Sequence, residues 1–288
     1  MKYFTKQWYR TNQCTGMHLL LEASDRAASF SEEYFQELYA LRVQERLETM
    51  QRVQAVDRLA LAAELADDSA VPTHADGSPI TREEAEGIEE FRAAIIRGLQ
   101  EAPPFVFDPE AERQIAHNQY LHELKHLRTC LPEEIRRKVA DLRVLALRHA
   151  TREIIDEIAA FSKSCSERVH SAYDLFRQDF KNNFPDEMPA FYRKFHLDDE
   201  RLLSVQHEGS DILLIFEDQL TWRFRDAEFI LHDESIEQCC WLMDEIYPAP
   251  GGAYEIHALL EEITEDSEAI PREFILRCRD AEIIAPQE

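Results

Sequence analysis

Apolar residues recur every three or four positions through the first two thirds of the chain, which is the spacing of amphipathic helices. Ser31, followed by two acids, has the form of an N-cap and predicts a helix that extends to about Ala66. A capping box at Thr81 predicts a second helix, to about Gln100. The proline- and glycine-bearing segment 67–81 is predicted to be the loop between them.

Two further helices follow before the pattern changes. Asp108 with proline at the next position predicts a helix that ends near Cys130. The longest predicted helix spans 132–183 and shifts its apolar phase near His149. Charged residues fill its opposite face, as expected for the solvated side of a bundle helix. Because of its length, we expect this helix to be the surface through which a homo-oligomer would form.

From about residue 190 the chain is organised by a repeated octapeptide. Arg223–Ile230 and Arg277–Ile284 are identical at six of eight positions. Each copy is preceded by short β-branched and aromatic runs, separated by a turn that contains glycine. The repeat therefore predicts two copies of a three-stranded antiparallel meander, which together form one sheet of about six strands.

These patterns predict an α+β protein with two domains. Helix runs followed by strand runs are typical of this class or of separate domains. We expect a helical domain over 1–184 and an acidic, duplicated β domain over 190–288, with prolines at 185 and 189 marking the boundary. Trp222 and Trp241, at early positions of predicted strands, are expected to lie in the core of the sheet domain.

The octapeptides carry two carboxylate pairs, Asp226/Glu228 and Asp280/Glu282. Residues two apart share one face of a strand, so the members of each pair can act together. In one interpretation, which structural repetition alone explains, the acids mark a corner where a strand ends and their charges face water. In the other, the two pairs converge on a hard cation or on a basic partner.

The net charge of the chain limits the kinds of molecule that it could bind. The formal net charge of the 288 residues is −25. From residue 185 onward there are 26 acidic and 8 basic residues, a net charge of −18. Such a surface argues against binding to nucleic acid or to anionic membrane, and favours a basic protein partner.

Cysteine usage and the absence of a leader favour a cytoplasmic protein. The six cysteines show no CxxC spacing, so free thiols in a reducing compartment are expected. The first residues lack the apolar core of a signal peptide, and no stretch approaches the roughly 20 apolar residues of a membrane span.

The N-terminal sequence MKYFTKQWY contains four aromatic residues and is expected to pack against the fold. It resembles the start of an uncharacterised bacterial family, a domain of unknown function whose members begin MKYFTK-x-WY. The resemblance extends to 131–132, 140–143, 241–245 and 254–257 and implies full-length membership. It implies no activity, substrate or catalytic residue.

One motif has the form of a catalytic centre. His122, Glu123 and His126 fit H-E-x-x-H on a predicted helix, where two histidines on one face can bind zinc and the glutamate can polarise the metal-bound water. This resembles the zincin metalloprotease motif. Lys125 lies where that family favours uncharged residues, and the possible third ligands, Glu153 and Glu157, lack the family's second motif.

Two functions therefore stand as expectations. The first is a non-catalytic cytoplasmic binding protein without a cofactor, whose acidic sheet binds a basic protein in the manner of toxin-neutralising immunity proteins. The alternative is a zinc-dependent hydrolase that uses His122, Glu123 and His126.

Overall fold

The computed structural model describes residues 1–67, 80–103, 105–185, 187–195, 197–217, 220–264 and 269–284. The fold is α+β, as predicted: helices dominate the N-terminal part and an antiparallel sheet the C-terminal part. The chain divides into two compact units, one formed by Ser31–Glu123 and the other by Met1–Phe30 together with Leu124–Glu288.

The helices in the described residues are α1 (Lys6–Asn12), α2 (Glu32–Gln54), α3 (Arg58–Asp67), α4 (Arg82–Glu101), α5 (Pro109–Cys130), α6 (Glu133–Arg136), α7 (Leu142–Ala146) and α8 (Arg152–Asn183). None of these helices combines the length and the apolar composition that crossing a bilayer requires.

The strands are β1 (Glu22–Ala23), β2 (His149–Ala150), β3 (Arg201–Glu208), β4 (Asp211–Phe216), β5 (Thr221–Arg225), β6 (Glu228–His232), β7 (Cys239–Ala249), β8 (Ala253–Ile263), β9 (Ala269–Cys278) and β10 (Asp280–Ile284). β1 and β2 form a short parallel pair.

Three helices begin at the cap residues from which the sequence predicted them. The Ser31 hydroxyl accepts from the Tyr34 amide, and Thr81 forms the capping box. The Asp108 carboxylate accepts from the first amides of α5. The helix predicted over 31–66 is instead two helices, because Asp57 accepts from the Leu59 and Ala60 amides and begins α3. Most of the predicted loop, 68–79, lies outside the described residues.

The prediction of one long helix over 132–183 is wrong. The stretch contains α6, α7, β2 and α8, because two polar side chains begin new helices within it. Asp141 accepts from the Arg143 amide, and Thr151 accepts from the Ile154 amide. Between them Arg148 has a φ of 71°, which ends the helical path. The expected oligomer surface is therefore not one continuous helix.

The larger sheet has eight strands in the described residues, in the order β10-β5-β4-β3-β7-β8-β9-β6, and every neighbouring pair is antiparallel. β3-β4-β5 and β7-β8-β9 are antiparallel meanders. The chain continues from β5 into β6 and from β9 into β10, so that each meander is followed by a fourth strand. These fourth strands, β6 and β10, are the two beyond the predicted six.

The core of the sheet is largely aromatic. Trp222 and Trp241 are both buried, as predicted. Phe195 packs edge-on against both indoles, with ring centroids 5.0 and 5.4 Å away. Such edge-to-face contacts add to the stabilisation from burial.

The division into units differs from the predicted boundary at 184–190. Phe4, Trp8 and Tyr9 form one buried cluster with Val169 of α8 and Leu259 of β8. The N-terminal segment and α8 thus pack with the sheet and belong to its unit. The prediction from the order of the sequence had assigned both to the helical domain, 1–184.

The unit Ser31–Glu123 has its own small core. Its buried apolar residues are Tyr34, Phe35, Leu38, Leu47 and Ala62. Arg46 of α2 bonds the buried carboxylate of Glu112 on α5 at 2.7 Å. This ion pair and the packing of α3 on α4 hold the helices of the unit together.

Candidate functional site

The two octapeptides lie antiparallel to each other and form one ladder. Phe224 pairs with Ala281 on one side of the corner, and Glu228 pairs with Arg277 on the other. From the first pair to the second, one copy advances by four residues while the other goes back by four. The register is therefore the same on both sides of the corners. β6 leaves β5 to join β9, and β10 leaves β9 to join β5. We call this ladder the seam.

The seam explains why arginine and acid alternate in the repeat. Arg225 donates to Glu282 at 2.7 Å, and Arg277 donates to Glu228 at 3.0 Å. Arg279 and Asp226 form the corresponding pair at the corner, 3.8 Å apart. Each copy supplies the cations that face the acids of the other copy.

Asp226 and Asp280 lie where the chain turns. Asp226 has a φ of 47°, and its amide donates to the Asp211 carboxylate at 3.1 Å. Asp280 follows β9 after a single residue and accepts from the Ala281 amide. The four predicted carboxylates therefore lie along the seam, and three of them form ion pairs with arginines.

The H-E-x-x-H segment lies on α5, as the sequence predicted. His122 is exposed, and Glu123 and His126 are partly buried. His126 Nδ1 lies 3.5 Å from the Cys130 Sγ. Glu157, one of the considered third ligands, is bonded to Lys138 at 2.6 Å. Within the described ranges, no group of three His, Cys, Asp or Glu side chains has an arrangement that could hold a metal.

A buried glutamate on β7 holds the N-terminal segment. Glu245 is fully buried, and its carboxylate accepts the backbone amides of Lys2, Tyr3 and Phe4 at 2.8, 2.7 and 2.6 Å. The Tyr247 hydroxyl donates to the same carboxylate at 2.8 Å. Four donors satisfy a charge that would otherwise be costly to bury.

Asp244, the preceding residue, occupies a different environment. Its two carboxylate oxygens accept from the Tyr192 hydroxyl and from the Trp241 Nε1, the latter at 3.2 Å. In the part of the chain that the structure describes, no lysine or arginine forms an ion pair with this partly buried carboxylate. Both of its donors are neutral.

Burial raises the pKa of Asp244 to about 6. The hydrogen bonds from Tyr192 and Trp241 lower this pKa, and the negative charges of Asp198 and Glu245 raise it further. Burial raises the pKa of Tyr192, and so do the charge and the hydrogen bond of Asp244, followed by the charges of Glu245 and Asp198. The surroundings of Asp244 thus disfavour an uncompensated negative charge.

Two more groups lie near this part of β7. Asp198 is exposed and close enough to influence Asp244, Tyr192 and also Tyr173, whose pKa is raised by burial first and by Asp198 second. The Tyr173 hydroxyl lies 3.6 Å from the Met243 Sδ on β7. We call the set Tyr173, Tyr192, Asp198, Trp241 and Asp244 the acidic notch.

Sequence reasoning missed both Glu245 and the acidic notch. The available signal was the adjacent pair Asp244–Glu245, which interrupts the apolar run of a strand. Nothing local shows that Tyr192, 52 residues earlier, donates to Asp244. Comparison of the chain with protein-family models, with curated proteins and with solved structures found no match.

Proposed function

We propose that this protein is a non-catalytic cytoplasmic binding protein whose sheet-bearing unit binds a basic protein partner. The observation that carries the proposal is Asp244, a partly buried carboxylate with two neutral donors and a raised pKa. A cationic side chain of a partner would supply the missing positive charge.

The composition of the notch fits a lysine or arginine side chain. Asp198 and Asp244 offer carboxylates, and Tyr173 and Tyr192 offer aromatic surface, which attracts cations as well as apolar stems. The net charge of −18 after residue 184 would speed the approach of a basic protein. By contrast, three of the four seam carboxylates already face arginines.

The test is co-purification of the tagged chain from the cell that produces it. We expect a basic protein in stoichiometric amount that is released by salt, because salt screens charge attraction. The variant Asp198→Asn/Asp244→Asn should lose this protein.

The matched control is Glu64→Gln/Asp67→Asn on α3, which removes the same charge from the other unit and should keep the partner. Purification of the wild-type chain alone would refute the proposal. Equal retention by both double variants would refute the role of the notch.

The hydrolase alternative has less support from the structure, since His122 is exposed and His126 lies against Cys130. It keeps a simple test. Metal analysis of protein purified with added zinc should give close to one equivalent if His122 and His126 bind it, and loss of that zinc in His122→Gln should accompany loss of hydrolysis.

We also propose that the sheet arose by duplication of a meander with its octapeptide. The support is the symmetry of the seam. If the two octapeptides exchange places, the pairs between them, such as Phe224 with Ala281, keep the same register. The ion pairs between arginines of one copy and acids of the other give a reason for the chain to retain both copies.

Membership of the bacterial family resembled at the N-terminus is likewise a proposal. Its support is that two segments carrying the resemblance meet in the fold. The amides of Lys2, Tyr3 and Phe4 bond to Glu245, the last residue of the segment 241–245. A shared anchor gives a physical reason for the two segments to occur together.

A further inference from the structure

The end of α5 carries a histidine–cysteine pair that the proposed binding function does not use. His126 Nδ1 lies 3.5 Å from the Cys130 Sγ. Residues four apart lie on one face of a helix, so the sequence spacing itself makes this contact possible. Cys130 is partly exposed.

A second thiol comes to the same place from the other end of the chain. Cys14, just beyond α1, is buried, and its Sγ donates to the carbonyl oxygens of Arg10 at 3.1 Å and of Cys130 at 3.8 Å. A hydrogen bond between the Cys14 and Cys130 side chains, followed by burial, raises the pKa of Cys14. Cys14 therefore keeps its proton beside Cys130.

Two basic side chains lie near Cys14. The charges of His126 and Arg168 lower its pKa, against the larger effects of Cys130 and burial. Arg168 on α8 lies with its Nη2 3.3 Å from the Sγ of the buried Cys165. Nearby cations with partial exposure are typical of reactive cysteines, and a neighbouring imidazole is the usual base for a thiol nucleophile.

We propose that Cys130, Cys14 and His126 form a dithiol site that reacts with one equivalent of peroxide and becomes a disulfide, in addition to the proposed binding function. His126 takes the proton of the Cys130 thiol, and the resulting sulfur attacks one oxygen of the peroxide. The O–O bond breaks, an S–O bond forms, and the other oxygen leaves as water or an alcohol with the proton from His126.

The second step closes the disulfide. The Cys14 sulfur attacks the sulfenic sulfur of Cys130, an S–S bond forms, the S–O bond breaks, and hydroxide leaves with the Cys14 proton as water. Two thiols lose two electrons in total, and one peroxide gains them. The product joins the segment after α1 to the last residue of α5.

The first test maps the thiols of the full-length reduced protein after one equivalent of hydrogen peroxide. We expect a peptide pair joined through Cys14 and Cys130, with Cys240 still alkylated as a thiol. Cys240 is a fair internal control because it is also partly buried. Oxidation of Cys240 before this pair, or no Cys14–Cys130 product, would overturn the proposal.

The second test separates the roles of the residues. Cys14→Ser should stop the reaction at a Cys130 sulfenic acid that dimedone traps. His126→Gln should slow peroxide consumption by about tenfold or more, as expected for loss of a general base. His170→Gln, an exposed histidine on α8, is the control and should react at the wild-type rate. Equal rates for the two histidine variants would remove His126 from the site, and absence of trapped Cys130 would contradict the first step.

Discussion

Two adjacent carboxylates on β7 show how far burial and partners determine the behaviour of a residue. Glu245 is fully buried and satisfied by three backbone amides and a tyrosine hydroxyl. Asp244 has two neutral donors, and burial raises its pKa to about 6. The sequence shows the acidic pair, but it does not show the partners that come from far away in the chain, namely Tyr192 for Asp244 and the N-terminal amides for Glu245.

Asp244 should make stability fall as the pH rises. Its pKa is about 6 in the fold against an ordinary value of 3.8. Protonation therefore stabilises the fold fully below pH 3.8, and this contribution is lost as the pH rises through 6. Relative to Asp244→Asn, the wild type should lose up to about 3 kcal/mol of unfolding free energy between pH 3 and pH 7.

Denaturant unfolding of both proteins over this pH range measures the difference. Asp199→Asn, an exposed neighbour, controls for the loss of one negative charge. A constant difference between the wild type and Asp244→Asn would contradict the raised pKa.

Glu245→Gln should be strongly destabilising. One of its carboxylate oxygens becomes an amide nitrogen, which cannot accept. Either the Tyr3 and Phe4 amides or the Lys2 amide and the Tyr247 hydroxyl then lose their acceptor. Leaving buried donors unpaired should lower the free energy of unfolding by about 2–4 kcal/mol. Chemical denaturation measures this, and Glu234→Gln, at an exposed loop position, should change it little. Equal stability of the two variants would show that the N-terminal segment is not held in this way.

At the scale of secondary-structure elements, local sequence signals predicted where helices begin better than how long they are. Ser31, Thr81 and Asp108 begin helices as expected. Asp141 and Thr151 have the same chemistry inside 132–183, and the phase shift near His149 fits an interruption better than the single helix that was predicted. The octapeptides predicted strands and corners, whereas their pairing with each other depends on the register of the seam.

Charge exchange across the seam tests that register. Arg225→Glu would place like charges beside Glu282 and Asp280 and should lower the midpoint of thermal unfolding by a few degrees. Adding Glu282→Arg should recover most of the loss, because the pair is restored with its signs exchanged. Calorimetry of the wild type, both single variants and the double variant completes the cycle. Additive losses in the double variant would mean that the two residues do not interact.

At the scale of the whole molecule, sequence order was a poor guide to the units. The α+β class followed from the order of helix and strand patterns. The grouping of Met1–Phe30 with the sheet depends on contacts across more than 200 residues, such as those of Lys2 with Glu245. Periodicity reports which face of an element is apolar but not which element covers it. For the same reason, composition indicated an acidic binding unit without locating the notch.

The most direct test of the binding function is the affinity of the purified chain for its co-purified partner, measured by calorimetry at two salt concentrations. The wild type should bind more weakly at high salt, and Asp198→Asn/Asp244→Asn should bind at least about tenfold more weakly than the wild type. Glu64→Gln/Asp67→Asn should bind like the wild type. An affinity unchanged by both salt and the notch variant would contradict the account.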